Sequence, residues 1–337
     1  MPENSALLAA IIANPAEDTP RLAYADWLDE NGEPEWARFI RLQFEIEKLP
    51  PIGPKASKAK KEEEALLKKH EKNWAGPIAS LVQRCVFRRG FVEYVRVAVA
   101  DYLTHGDRLF QLAPLREVRF VEIKNQMPAL AVSPLLGKAE RLAFSNTIMD
   151  QLHYDGRLEA LLASPYLATV RGLNLSMSSL TDADVERVAN CPHLGALTHL
   201  DLSTNSIRTP GLRAIANSDR LPKLSSLTIH GNPQVNVDGV RAIVDSPLAE
   251  RLEQLTLAFQ VFRDEGVKLL ASASRLTHLR MLDLSHNDLT DAGANALAAA
   301  PNLAGLQRLN LRGHRKTIGK DARTRLQKRF GKDVCVF

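Results

Sequence analysis

Two histidines and a carboxylate, His199, Asp201 and His230, fall within a short stretch of this 337-residue chain. Two imidazoles with one carboxylate are a set that can ligate a divalent metal or carry protons in acid–base work. A second cluster, Arg21, Tyr24, Asp26 and Trp27, gathers guanidinium, phenol, carboxylate and indole in seven residues, chemistry suited to docking a peptide. Other catalytic patterns are missing: there is no Walker-type glycine loop, no H-E-x-x-H and no G-x-S-x-G. Cys85, Cys191 and Cys335 are odd in number, far apart and without a C-x-x-C, which suits reduced thiols and argues against a zinc site or a disulfide framework. What the two clusters can do depends on the elements that hold them.

His199 and Asp201 belong to a phrase that the chain writes six times: an aliphatic residue, two variable residues, Leu, one variable residue, Leu or Ile, then usually Asn three residues on. The copies begin at Val170, Leu197, Leu224, Leu252, Leu279 and Leu306, spaced by 27, 27, 28, 27 and 27 residues. Weaker copies precede them at Val92-x-x-Val95-x-Val97, Leu115-x-x-Val118-x-Phe120 and Ala139-x-x-Leu142-x-Phe144, so about nine turns are expected. The phrase resembles the leucine-rich repeat, and the 27–28-residue period with a helix in each turn resembles the ribonuclease-inhibitor subfamily of that repeat. The fold class that follows is α/β: a leucine-rich-repeat solenoid, a horseshoe with a parallel sheet inside and helices outside. Strands stack at ~4.8 Å but packed helices need ~8–10 Å, so a strand-plus-helix repeat must curve with the sheet inward. Thr181, Thr209 and Thr290 are expected N-caps of the repeat helices. Asn205, Asn232 and Asn287 resemble the family's asparagine ladder, with Ser178, Gln260 and His314 in the same slot of the other copies.

Period-two alternation in each strand points the Leu residues into the core and leaves their neighbours on the concave face. One row there reads Gly172, His199, Ser226, Gln254, Met281, Arg308. The next reads Asn174, Asp201, Thr228, Thr256, Asp283, Asn310, and a third reads Ser176, Ser203, His230, Ala258, Ser285, Arg312. These rows are polar and small, with few of the aromatic or arginine anchors that dominate tight interfaces. His199, Asp201 and His230 are therefore read first as members of a binding face, with no metal, cofactor or catalytic residue assigned. Phe259 and Phe262 either form an exposed apolar patch beside the repeats or insert into the core.

The N-terminal 49 residues read as a small all-α unit. Helices are expected over Ala6–Ala13 with Ser5 as cap, from about Pro20 to Glu30, and from Pro34 to Lys48, with Asn14-Pro15 and Asn31-Gly32 as breaks. The stretch NPAEDTPRLAYADWLDENGEPEWARFIRLQ closely resembles the repeat-companion domain that precedes repeats in many planctomycete and other bacterial proteins. The resemblance implies a bacterial cytoplasmic repeat protein and no reaction. Within it, Arg21 or Arg38 is expected to answer a carboxylate such as Asp26, with Trp27 and Trp36 as core aromatics; a peptide-docking face is the alternative. The proline-rich residues 50–60 read as a linker, 61–87 as a helical N-terminal cap, 88–316 as the repeats and 317–337 as a closing helix and strand.

A net charge of +5 hides an asymmetry: residues 1–50 carry ten acids against four Lys or Arg, and residues 308–332 carry ten Lys or Arg against Asp321 alone. No run of ~18 apolar residues exists, so no membrane span is expected. The reading that results is a cytoplasmic, monomeric, non-enzymatic scaffold that binds a protein on the concave face, its identity left open. Two alternatives stand beside it: an enzyme regulator of nuclease-inhibitor or GTPase-activator type, and binding of nucleic acid or polyphosphate at the basic C-terminal end.

Overall fold

The computed structural model describes residues 3–49, 53–144, 152–153, 156–314 and 317–337. The chain divides into two compact units, one comprising residues 1–126 and 138–141, the other residues 127–137 and 142–337.

The first unit opens with helices α1 (Glu3–Ala13), α2 (Thr19–Glu30), α3 (Pro34–Lys48) and α4 (Pro54–Ala75). A 3-10 turn at Gly76–Ser80 leads into strand β1 (Arg84–Arg88), strand β2 (Phe91–Ala98), helix α5 (Val99–Leu112) and strand β3 (Glu117–Val121). β1 pairs antiparallel with β2, and β2 runs parallel to β3 with Val95 opposite Val118. The helical segment does not close a core of its own. Ile11, Tyr24, Ala25, Leu28, Ala37, Ile40 and Phe44 form one buried cluster with Phe91 of β2, so the expected 49-residue domain extends through the first strands. The β1–β2 turn needs glycine twice over: Gly90 has φ +86°, and a Cβ there would lie 2.2 Å from the Ile40 side chain.

Two boundaries differ from the sequence expectation. Residues 54–60, read as linker, are helical, because Pro54 is tolerated in the first turn and the Lys, Ala and Ser that follow bury Ala56 and Ala59; residues 50–52 lie outside the described set. The expected helical cap over 61–87 ends in a strand, since Arg84–Arg88 pairs with β2 as a hairpin. The first helix also starts at Glu3, ahead of Ser5.

The second unit contains the regular repeats. Beyond α6 (Met127–Ala131), β4 (Arg141–Ala143) and α7 (Arg157–Leu162), strands β5 (Gly172–Asn174), β6 (His199–Asp201), β7 (Ser226–Thr228), β8 (Gln254–Thr256), β9 (Met281–Asp283) and β10 (Arg308–Asn310) alternate with helices α8 (Asp182–Ala189), α9 (Thr209–Ala216), α10 (Val237–Val244), α11 (Arg263–Ser272) and α12 (Asp291–Ala299). Helix α13 (Lys320–Phe330) and strand β11 (Cys335–Val336) end the chain, with β11 parallel to β10. From β5 to β11 the strands lie in chain order and parallel, which is the α/β leucine-rich-repeat architecture. Leu173, Leu200, Leu227, Leu255, Leu282 and Leu309, the middle residue of each strand, are all buried. Each strand is left through a residue in the left-handed region, Met177, Thr204, Gly231, Phe259, His286 and Gly313 in turn, and the same turn recurs at Glu122 after β3.

The helix starts are tied together by a device that spacing alone does not reveal. Asp182 Oδ1 accepts from the N–H groups of Arg208 and Gly211 in the next repeat, at 2.8 and 3.0 Å. Asp264 does the same for Thr290 and Gly293, at 2.9 and 3.0 Å. Each carboxylate thus satisfies orphan donors at the start of the following helix. Of the three threonines expected as caps, Thr181 closes a capping box with Asp184 and Thr290 accepts from Ala292 N–H. Thr209 instead sits inside the first turn of α9, with Arg208 at the cap and Asp182 supplying the acceptor.

Candidate functional site

The strand registers bring the expected binding residues into straight rows. His199 lies opposite Gly172 and Ser226, Ser226 opposite Gln254, and Met281 opposite both Gln254 and Arg308. Asp201, Thr228, Thr256, Asp283 and Asn310 follow in the same registers two residues on. Because the Leu between the rows points inward, these side chains share the other face of the sheet, most of them half-buried.

Gln254, Thr256, Met281, Asp283, Arg308 and Asn310 line one depression of about 180 Å³ whose floor is Leu255 and Leu282. It offers a thioether, a guanidinium, a carboxylate, two amides and a hydroxyl within three adjacent strands. Such a mixture suits a segment of protein with both polar and apolar groups.

Several of these groups also hold the strands' exits. Asp201 Oδ1 accepts from Ser203 N–H and Oγ–H at 2.9 and 2.5 Å, and Asp283 Oδ1 accepts from Ser285 N–H and Oγ–H at 2.9 and 2.6 Å. Their second oxygens accept from the neighbouring amides: Asn174 Nδ2–H donates to Asp201 at 3.0 Å and Asn310 Nδ2–H to Asp283 at 2.7 Å. The row therefore reads amide–acid, Thr228–Thr256, acid–amide. Its carboxylates are already paired within the fold, leaving the central threonines and the row of Gln254, Met281 and Arg308 as the groups with polar or apolar surface to offer.

His199 and His230 do not meet. His199 pairs in register with Ser226, four residues before His230, a separation of about 13 Å along the strand direction. His199 is exposed, with Nδ1 2.7 Å from the Thr198 hydroxyl. His230 instead sets its ring against Phe259, with centroids 4.9 Å apart, and Phe259 stacks on His286 at 4.1 Å. Among the described residues no group of three or more His, Cys, Asp or Glu is arranged to hold a metal ion. The two phenylalanines of the 258–262 segment separate: Phe262 is buried in the core and Phe259 is 48% exposed.

The asparagine slots are buried hydrogen-bond hubs. Asn205 Oδ1 accepts from Ser178 and Leu180 N–H, both at 3.0 Å, while its Nδ2 donates to the carbonyls of Leu175 and Leu202 at 3.1 and 2.9 Å. Asn232 repeats the pattern with Asn205 and Ile207 N–H and with Leu202 and Ile229 carbonyls. Asn287 accepts from Gln260 N–H at 2.8 Å and donates to Leu257 and Leu284 carbonyls. His314 stands in the last slot: its Nε2 is 3.0 Å from Leu284 O and 3.3 Å from the Asn287 backbone nitrogen, and its Nδ1 accepts from Leu289 N–H at 3.3 Å. Burial pushes its imidazole below the ordinary histidine pKa.

The residues of the N-terminal motif have architectural partners. Arg21 is fully buried and forms an ion pair with Glu93 of β2 at 2.8 Å. It also donates to the carbonyls of Pro15 and Arg89 at 2.9 and 3.2 Å. Arg89 reaches the same Glu93 at 2.6 Å, with Asp18 and Pro15 O at 2.9 and 2.8 Å, so two guanidiniums clamp the Asn14-Pro15 turn to the hairpin. Burial drives the Arg21 pKa down to about 10, with Glu93 opposing. The expected partnership of Asp26 with Arg21 or Arg38 is thus corrected: Asp26 is exposed and pairs with Arg41 at 2.6 Å, and Arg38 pairs with Glu45 and Glu62. Tyr24 is buried among Trp27, Trp36 and Phe91, and Trp36 Nε1–H donates to Gly90 O at 3.1 Å. Glu93 and Arg89 were missed by sequence reasoning, since nothing in their spacing links them to a helix about 70 residues earlier.

Among the described residues no helix is long and apolar enough to cross a membrane. A family model described as leucine-rich repeat matches residues 196–216 and 275–298. Similar solved structures include TLR13 in a complex with ssRNA13, with 20% identity, a TM-score of 0.37 and coverage of 58% of this chain but 25% of that one. They also include an internalin, InlF, from Listeria monocytogenes, with 17% identity, a TM-score of 0.35 and coverage of 68% of each chain. This chain thus spans a quarter of the TLR13 chain. No curated protein matches it. The matched segments contain β6, β9 and the helices after them, so leucine-rich repeats are present at two of the six strands that carry the rows.

Proposed function

We propose that the second unit is a protein-binding scaffold and that its partner docks on the open face of the parallel sheet, across His199, Asp201, Ser226, Thr228, His230, Gln254, Thr256, Met281, Asp283, Arg308 and Asn310. One observation carries the reading: six of these residues, contributed by three successive repeats, line a single depression with both polar and apolar groups. A face built from residues recurring every 27 or 28 positions lengthens by one strand per repeat, which suits an extended or convex protein surface more than a small substrate. The pairing of Asp201 and Asp283 inside the fold supports a neutral, adaptable contact over the acidic surface an inhibitor of a basic nuclease would present. On this reading the N-terminal helices serve architecture, since Arg21 and Tyr24 are spent on the hairpin.

The test is substitution at the centre of the depression. Thr256→Arg and Met281→Glu change half-buried side chains on the sheet's open face and leave the leucine core alone. With a partner captured from the native source and titrated against purified protein, each variant is expected to weaken binding by about tenfold or more. Full affinity in both variants, with unchanged thermal melting, assigns the contact to another surface.

A further inference from the structure

Helices α12 and α13 flank a shallow, open groove of about 660 Å³, floored by Ala298 and Ala299 and bordered by Asn295, Arg325, Lys328 and Arg329. Its charge is uncompensated. Arg325 donates to the amide of Asn295 at 2.7 Å and Arg329 to the carbonyl of Ala300 at 3.5 Å, but among the described residues no carboxylate comes within ion-pair distance of Arg325, Lys328 or Arg329. Two other arginines of the second unit, Arg187 and Arg275, do have carboxylate partners. The groove between α9 and α10 makes the contrast within one unit, because there Arg213 and Arg241 share the lining with Asp238 and Asp245.

We infer that the α12–α13 groove is a second docking site, separate from the sheet face, and that it takes an acidic amphipathic helix from a partner protein. Two features select that occupant. The small methyl floor between two helices accepts the apolar ridge of a third helix, because alanines let helix axes approach closely. The cations flanking the floor match Asp or Glu set beside such a ridge at i and i+4, charge pairs that are worth most where the apolar contact excludes water. A nucleic acid would use the cations but not the floor: Phe330 beside them is half-buried with Arg329 over its face, and among the described residues no exposed aromatic lines the groove for a base to stack on.

The full-length chain is titrated by fluorescence anisotropy with labelled 18-residue peptides from a designed panel, each helical with Leu and Ala on one stripe and Glu on its flanks. Permuted peptides of the same composition, a single-stranded oligonucleotide and polyphosphate complete the set. Members of the panel should bind at least about tenfold more tightly than their permuted versions. Ala298→Arg, which fills the floor, and the triple variant Arg325→Gln, Lys328→Gln, Arg329→Gln should each remove that preference. Should Ala298→Arg lower the melting temperature, the exposed position Ala299→Glu replaces it. Equal binding of patterned and permuted peptides, tighter binding of oligonucleotide or polyphosphate, or no binding by any panel peptide overturns the proposal. These outcomes are independent of the sheet-face variants Thr256→Arg and Met281→Glu, which should leave peptide binding unchanged.

Discussion

Asn232 is buried completely and holds four backbone groups from two adjacent repeats, two N–H and two carbonyl. Asn232→Ala leaves those groups dry and unpaired and is expected to cost about 2–3 kcal/mol, read as a lower urea midpoint with an unchanged slope. His314 does the same work with a ring, and its protonation makes the last slot sensitive to acid. Its pKa is depressed in the fold, so its contribution is complete above the unfolded value of about 6.5 and is lost as pH falls through the lower folded value. Asp264, Asp288 and His286 also act on this ring, the acids favouring its charge and His286 opposing it. Comparing urea midpoints at pH 7.5 and 5.5, His314→Asn should lose less stability on acidification than the parent chain; an equal loss removes His314 as a source. The asparagines were legible in the sequence because they recur at a fixed offset from the leucines. The pairing of Arg21 with Glu93 was not legible, because it depends on a contact brought about by the finished fold.

The period identifies the elements better than their ends. Strands β5 to β10 fall on the six copies of the repeated phrase, since alternating buried leucines leave one face for the core and a slip of one residue would expose them all. Residues 54–60 were misread as linker because Pro54 is a breaker inside a helix and a tolerated residue at its start, and sequence composition does not distinguish the two. The β1–β2 hairpin was hidden in the same way: Arg88-Arg-Gly-Phe91 carries a turn glycine, but β1 lacks the clean alternation that announces a strand. The inter-repeat caps could have been suspected from the recurring Asp and Gly near each helix start. A Cβ on Gly293 would lie 2.4 Å from Asp264 Oδ1, so the glycine is what lets the carboxylate reach the next helix. Gly293→Ala should therefore destabilise the second unit by about 1–3 kcal/mol although alanine favours helix. Pairing it with Asp264→Ala in a double-mutant cycle should recover part of that loss, and strict additivity would show that the two do not touch.

At the scale of the molecule, the sequence foretold a repeat scaffold, and the sheet presents its rows in the expected register. The candidate site was legible as a set of residues but not as a division of labour. Asp201 and Asp283 turned out to hold strand exits, which the pattern does not reveal, whereas the spread of His199, Asp201 and His230 along the strands follows from their places in three successive rows. The proposed function places a protein partner on the open face of the sheet. Site-specific photo-crosslinking tests it most directly: benzoylphenylalanine is placed singly at Thr228, Thr256 or Gln254 on the sheet and at Arg213 or Arg241 on the helix surface, and adducts with the captured partner are identified by mass spectrometry. Adducts are expected from the three sheet positions and none from the two helix positions. Adducts confined to the helix positions, or equal from both faces, contradict it.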